Sequence, residues 1–469
     1  MLRRLLFWLH LAAGVSAGAV ILIMSLTGVL LTYEKQILAW ADREFRSAQA
    51  PENAARLPLR DLVEKAKEAG NGETAPTTIT FYAGNRFVAA AMSNGNVAGG
   101  GRGATSTRFV DAYSGSVHSP ASDGLRGFFR TVTNWHRALA APDGYREVGT
   151  AITGASNLLF VFIVLSGLFI WWPGRQRNLR QVTWFRGGLR GKARDWNWHN
   201  VFGFWTAVPL FLIALSGTVI SYSWASNLVY RVTGTEPPAQ GGERRAGEQR
   251  ADAAAPRGAS GGVRAPAAEA AVSAEAGGKR RRGEEGITAE TPRRERRGAG
   301  RSEGESASRD RGETQPMAIT ELAAAIENLD PLLARVESEV PGWKTIALRL
   351  PNSAAAPVVF TVDQGNAGQP QYRSTLTLDR AGAIAKHETF ADQNAGRQAR
   401  SWLRYVHTGE YYGAFGQTIA GVASFAGVLL VWTGLSLAFR RFIAWARPRR
   451  ERETAVALTV PPQTAAEER

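Results

Sequence analysis

The sequence predicts an α-helical membrane protein, a four-span helical bundle made of two tandem parallel repeats with two small α+β domains outside the membrane. Three observations predict it. Four uncharged segments, at about 11–33, 148–172, 199–223 and 411–439, are each long enough to cross a bilayer, for which roughly 20 residues at 1.5 Å rise suffice. Two long segments of mixed polarity alternate with one short basic connection. The odd-numbered spans share one residue pattern and the even-numbered spans another, as an internal repeat would.

In chain order, residues 1–40 hold the first transmembrane helix and 41–124 the first outward domain. An outer-face helix and the second transmembrane helix occupy 125–175, a basic loop 176–195, and the third transmembrane helix 196–232. An insertion at 233–315 precedes the second outward domain at 316–395, the fourth transmembrane helix at 396–445 and a tail at 446–469. Arg3 and Arg4 precede the first apolar run as they would in a signal peptide. That run exceeds a usual signal core and three spans follow, so an anchor is expected.

Residues 173–195 carry seven basic residues against the single acid Asp195, and Arg440, Arg441, Arg447, Arg449 and Arg450 follow the last span. The positive-inside rule puts these and both termini in the cytoplasm and the two long segments outside. Much of the net charge of +15 is thereby accounted for by topology, so no nucleic-acid partner is expected and membrane lipid is the natural contact. The chain has no cysteine, which excludes disulfides and thiolate-held zinc or iron–sulfur centres.

The repeat is read by aligning Trp8–Glu34 with Trp198–Ser223. Each copy has a histidine, a glycine four residues later and a second glycine eighteen residues later: His10, Gly14 and Gly28; His199, Gly203 and Gly217. In the even-numbered spans, Gly154/Gly167 matches Gly421/Gly434, with His136 and His407 upstream. From about 237 to 315 the chain has hardly a large apolar residue and is expected to be disordered. Outside it, each outward segment offers one helix-compatible stretch, such as Arg56–Gly70, and several strand-like runs separated by turns.

Topology puts His10 and His199 at the inner end of the bundle and His136 and His407 at the outer end; His118 and His387 fall in the outward domains. Histidine and tryptophan also suit a membrane interface, so decoration is one reading. Recurrence at matched positions favours a second, in which imidazoles ligate a metal or haem between facing helices. Pairing would then be His10 with His199 and His136 with His407. The two levels lie about 27 Å apart along an ideal helix, too far for one haem to contact both. Zinc is less apt because each level offers two histidines rather than three or four ligands. Arg130, Arg137 and Arg404 are candidates for haem propionates, and Trp135, Trp402, Tyr405, Tyr411 and Tyr412 for ring packing; interface anchoring explains them equally. Their inner counterparts are Arg3, Arg4, Trp8, Trp196 and Trp198. No dinucleotide or P-loop fingerprint is present.

The ordered set LHLAAG with SLTGVLLTYE, NWHRAL with LSGLFIWWP, WNWHNVFG with ALSGTVISYS and VHTGEYYG with VWTGLSLAF resembles the PepSY-associated transmembrane protein family, which includes siderophore-iron reductases of the bacterial inner membrane. The resemblance implies PepSY-like periplasmic domains, haem at His10, His136, His199 and His407 as two haem b groups, and electrons passed outward to ferric siderophore, releasing Fe(II). It implies a separate cytoplasmic reductase or quinol as donor. The alternatives are a haem reductase for another periplasmic acceptor, or an envelope peptide-binding or regulatory protein. His118 and His387 are expected to be ordinary solvent-exposed residues.

Overall fold

The computed structural model describes residues 1–70, 76–93, 105–172, 180–238, 324–365 and 368–446. The expected disordered insertion, apart from its first six residues, and the tail lie outside the described residues. Among the described residues four helices are long and apolar enough to cross a membrane, so the chain is a multi-pass membrane protein. They are α1 (Leu2–Leu31), α6 (Arg146–Trp171), α8 (Gly191–Ser221) and α12 (Gly413–Ala446). Each extends beyond its uncharged stretch at one end. Backbone hydrogen bonding continues into the polar flanks, so His10 and His199 lie within α1 and α8.

The bundle closes as a ring. α1 packs against α6 and α12, and α8 packs against the same two, leaving α1 and α8 diagonally opposed. Small residues line these contacts: Ala13, Ala17 and Gly18 on α1, Ala420, Ala423 and Gly427 on α12. Between apolar helices in lipid, close backbone approach of this kind supplies van der Waals attraction. Asn157 on α6 adds a polar tie, donating to the Ala214 carbonyl at 2.8 Å on α8.

Short helices extend the bundle at one end. α2 (Glu34–Ala41) and α3 (Arg43–Arg46) follow α1; α5 (Asp123–Ala138) precedes α6; α9 (Ser223–Val232) follows α8; α11 (Ala395–His407) precedes α12. The connection from α11 to α12 doubles back tightly. Gly409 has φ +75°, and a Cβ there would stand 2.5 Å from the Gly416 carbonyl oxygen, so only glycine fits. The corresponding turn after α5 is made by Leu139 and Ala140 at φ +53° and +51°, a left-handed conformation costly for residues with a side chain. At the other, basic end, α7 (Arg180–Thr183) leads toward α8.

The sequence predicts two separate small strand layers, and the structure joins them. β1 (Pro76–Tyr82), β2 (Phe87–Ser93), β3 (Thr105–Asp111) and β4 (Val117–His118) form one half. β5 (Thr345–Arg349), β6 (Val358–Asp363), β7 (Arg373–Leu378) and β8 (Ile384–Thr389) form the other. Antiparallel pairing of β1 with β5, from Thr78↔Arg349 to Tyr82↔Thr345, makes one eight-stranded sheet in the order β4-β3-β2-β1-β5-β6-β7-β8. The physical reason is that β1 and β5 would otherwise present unpaired edges. The helices α4 (Leu59–Glu68) and α10 (Asp330–Glu339) supply buried Leu62, Val63, Leu333 and Val336. They are also tied to each other: the Asp330 carboxylate accepts from the Leu59 N–H at 3.0 Å, capping an α4 N-terminus that has no side-chain cap of its own.

Candidate functional site

Four of the six histidines enter the bundle, two at each end. His10 on α1 has Nδ1 3.0 Å from the Ser166 hydroxyl on α6, and His199 on α8 has Nδ1 3.0 Å from the Thr433 hydroxyl on α12. Toward the sheet end, His136 on α5 lies 2.9 Å from the Thr27 hydroxyl on α1. His407 on α11 lies 3.2 Å from the Ser216 hydroxyl and 2.9 Å from the Ile213 carbonyl, both on α8. In every case the residue after the hydroxyl is a glycine against the ring edge. A Cβ on Gly167, Gly434 or Gly217 would stand 3.2 Å from Cε1 of His10, His199 or His407 respectively, and one on Gly28 would stand 3.8 Å from Cε1 of His136.

The outer pair expected from the sequence comes together: the His136 and His407 rings meet edge-on with centroids 6.3 Å apart and planes at 62°. His10 and His199 stand at the other end on α1 and α8. Among the described residues no three His, Asp or Glu side chains converge in a way that could hold a metal ion, so each level offers a pair of imidazoles. Glu410, which stands near the outer pair in the chain, is engaged by Lys35 at 2.9 Å.

The flanking residues differ in exposure. Arg137 and Arg404 are exposed, and the Arg137 backbone carbonyl accepts from the Thr153 hydroxyl at 2.9 Å. An arginine the sequence did not mark is largely enclosed at this end: Arg373 on β7 donates to the Tyr405 hydroxyl at 3.2 Å and to Asp363 at 3.3 Å. Burial would pull its guanidinium pKa down, but Tyr405 and Asp363 outweigh burial and raise it. Tyr405 is two residues before His407, so the sheet is hydrogen-bonded to the helix that carries an outer histidine. Trp135 is largely exposed, whereas Trp402 meets Tyr411 edge-on at 6.4 Å.

At the basic end, Arg3 donates to the Trp172 carbonyl, Arg441 lies 4.8 Å over Trp8, and Arg194 lies 5.3 Å over Trp198. Asp195, the lone acid of the basic loop, is buried one turn before His199 and accepts from Ser436 on α12 at 2.8 Å. His118 on β4 is exposed and packs beside Phe45 and Phe87; His387 on β8 is exposed.

Sequence reasoning noticed the four glycines but not the hydroxyls before them. The signal was present: each span carries a Ser-Gly or Thr-Gly step toward its C-terminal end, in LTG, LSG, LSG and WTG. Only the fold shows that these four steps each meet a histidine from a neighbouring helix, whereas Thr153-Gly154, near the start of α6, meets Tyr222. No curated protein matches the chain. The profile of the PepSY-associated TM region matches residues 7–441, from the start of α1 to the end of α12 and across both halves of the sheet, and the chain therefore belongs to that family.

Proposed function

We propose that this is a di-haem transmembrane electron-transfer protein that reduces ferric siderophore at its sheet end and releases Fe(II). The observation that carries the reading is the His136–His407 imidazole pair at one end of a closed bundle, with His10 and His199 at the other end and all four Nδ1 atoms engaged by a neighbouring helix. The residues fit the cofactor. Two imidazoles on opposite faces of one iron need ring centres about 6 Å apart, from two metal–nitrogen bonds of ~2 Å and roughly 1 Å within each ring. The outer rings stand at 6.3 Å. His10 and His199 would hold one haem b, and His136 and His407 the other.

Haem iron cycling between Fe(III) and Fe(II) supplies one-electron transfer at each level. The chain supplies everything else. The diagonal opposition of α1 and α8 aims the inner pair at the bundle centre. Seventeen residues separate His10 from Thr27 and His199 from Ser216, so the levels are about 26 Å apart along either helix. The buried residues between them on α1 and α8 are mostly apolar, including Ala17, Ile21, Val201, Ala207 and Leu210, which disfavours water along the path. An electron arriving at the outer level reduces one ferric ion, and Fe(II) matches hard oxygen-rich chelators less well than Fe(III), which favours release.

We further infer that the chain is a tandem duplication with PepSY-like halves of the sheet; supporting this are the matched His–hydroxyl–glycine contacts within α1/α6 and within α8/α12. The positive-inside rule supports both termini in the cytoplasm with the sheet on the far side, and the family resemblance implies that the membrane is the bacterial inner membrane and the far side the periplasm. The donor is then a cytoplasmic reductase or a quinol, delivering electrons singly to the inner level. The test is anaerobic reduction of the purified full chain followed by ferric siderophores. Haem reoxidation with stoichiometric Fe(II) is expected. Protein that binds no haem when haem is abundant would sink the mechanism and leave a peptide-binding or regulatory role.

A further inference from the structure

The four hydroxyls do more than touch the histidines, because their own protons are committed elsewhere. Ser166 donates to the Phe162 carbonyl at 2.7 Å, Thr433 to Leu429 at 2.7 Å, Thr27 to Ile23 at 2.7 Å and Ser216 to Ile213 at 2.9 Å. Three of these run back one turn to residue i−4 and the fourth to i−3, as serine and threonine do in apolar helices. A hydroxyl has one proton, so toward its histidine each can only accept. A second acceptor stands beside one of the rings: the Ile213 carbonyl is 2.9 Å from Nδ1 of His407. Carbonyls also only accept. The hydroxyl at every ring, and this carbonyl at His407, therefore require the same tautomer, with hydrogen on Nδ1 and the lone pair on Nε2.

We propose that Thr27-Gly28, Ser166-Gly167, Ser216-Gly217 and Thr433-Gly434 are the positioning residues of the two metal centres: the hydroxyl holds Nδ1–H, the glycine admits the ring edge, and Nε2 is the ligating atom. The inference rests on the di-haem reading. It has a consequence for assembly. Each clamp lies within one half of the bundle, between the α5–α6 region and α1 or between the α11–α12 region and α8, whereas each imidazole pair draws one histidine from each half. The halves orient their own ligands, and the cofactor joins them. It also has a consequence for redox chemistry. A ring whose Nδ1–H is hydrogen-bonded donates more strongly through Nε2, which favours Fe(III) and lowers the midpoint potential.

The test uses the full chain purified with haem supplied, with Thr433→Val, Thr433→Ser and Gly434→Ala as variants, and reads haem per chain and midpoints from an anaerobic optical titration. Wild type should hold two haems. Thr433→Val should weaken haem binding about 10–100-fold at one of the two centres and shift the potential of any haem retained there upward, leaving the other centre unchanged. Thr433→Ser, which keeps the hydroxyl, should restore both. Gly434→Ala keeps the hydroxyl but places a Cβ 3.2 Å from His199 Cε1, and should weaken the same centre. If Thr433→Val fails to accumulate, Ser166→Ala probes the same level from another helix. Two wild-type haems with unaltered content and potentials in the Val and Ala variants would overturn the clamp. So would a Thr433→Ser variant behaving like Thr433→Val, which would mark a packing role. A haem-free wild type would overturn the di-haem reading instead.

Discussion

The two histidine levels use the same contacts in different mechanical settings. At the basic end both histidines sit inside membrane helices, α1 and α8, and the nearest polar support is Asp195 bonded to Ser436 on α12. At the sheet end both histidines sit on short helices outside the spans, α5 and α11. These helices are held from above. Asp42 accepts from Arg126 and Ser122 of α5, and Arg373 of the sheet bonds Tyr405 of α11. The inner level is thus built by the bundle alone, while the outer level depends on elements whose positions the sheet and its connections set. A centre of the first kind is insulated from events on the sheet, whereas one of the second kind can respond to them.

The strongest test of this difference is removal of the histidines. His10→Ala or His199→Ala should eliminate one haem of two, and His136→Ala or His407→Ala the other, measured as haem per chain. Loss of both centres from an inner substitution would show that the levels are not independent. Next in size is Asp42→Ala. It removes the carboxylate that Arg126, 5% exposed, bonds at 2.8 Å, and breaking a buried pair costs about 3–5 kcal/mol, measured by thermal unfolding. The outer haem should be lost first. Asp195→Ala should do the reverse, sparing the outer haem. Its effect should be about 1–3 kcal/mol, because Ser436 then lacks its acceptor while Arg194 and Arg440 reach water.

Tyr405→Phe removes a single hydrogen bond between sheet and α11, worth about 1 kcal/mol. It should move the outer midpoint potential and leave the inner one in place; equal shifts would refute the insulation of the inner level. The smallest effect concerns pH and the sheet alone. Burial pushes the Asp111 carboxyl up, but Arg86 and the N–H groups of Tyr113 and Ser114 outweigh it and hold its pKa below the ordinary 3.8. A depressed pKa stabilises the fold above the unfolded value and is lost as pH falls through the folded one. Acid sensitivity of the sheet between about pH 4 and lower values should therefore diminish in Asp111→Asn, with the bundle's haem spectrum unaffected.

Much of the membrane architecture was legible because its physics is one-dimensional. A span is a run of uncharged residues, and a repeat is a recurring spacing, so the four helices and the pairing of His10 with His199 and His136 with His407 could be read from position. The sheet was half legible: strand-like runs marked its pieces, but their union through β1 and β5 depends on edges that meet only in space. Arg137 and Arg404 drew attention as cations beside the right histidines in the chain, and both are exposed; Arg373, more than thirty residues from His407 in the chain, bonds to its helix from the sheet, a contact that sequence position does not reveal.

By itself the sequence determined which residues enter the membrane, which histidines share a level and where small residues permit close helix contact, because each of these follows from local composition and period. Only the tertiary structure decided what each imidazole does with its second nitrogen. That depends on a hydroxyl on another helix and on where that hydroxyl's single proton already points, a relation between atoms up to 234 residues apart that no local pattern encodes.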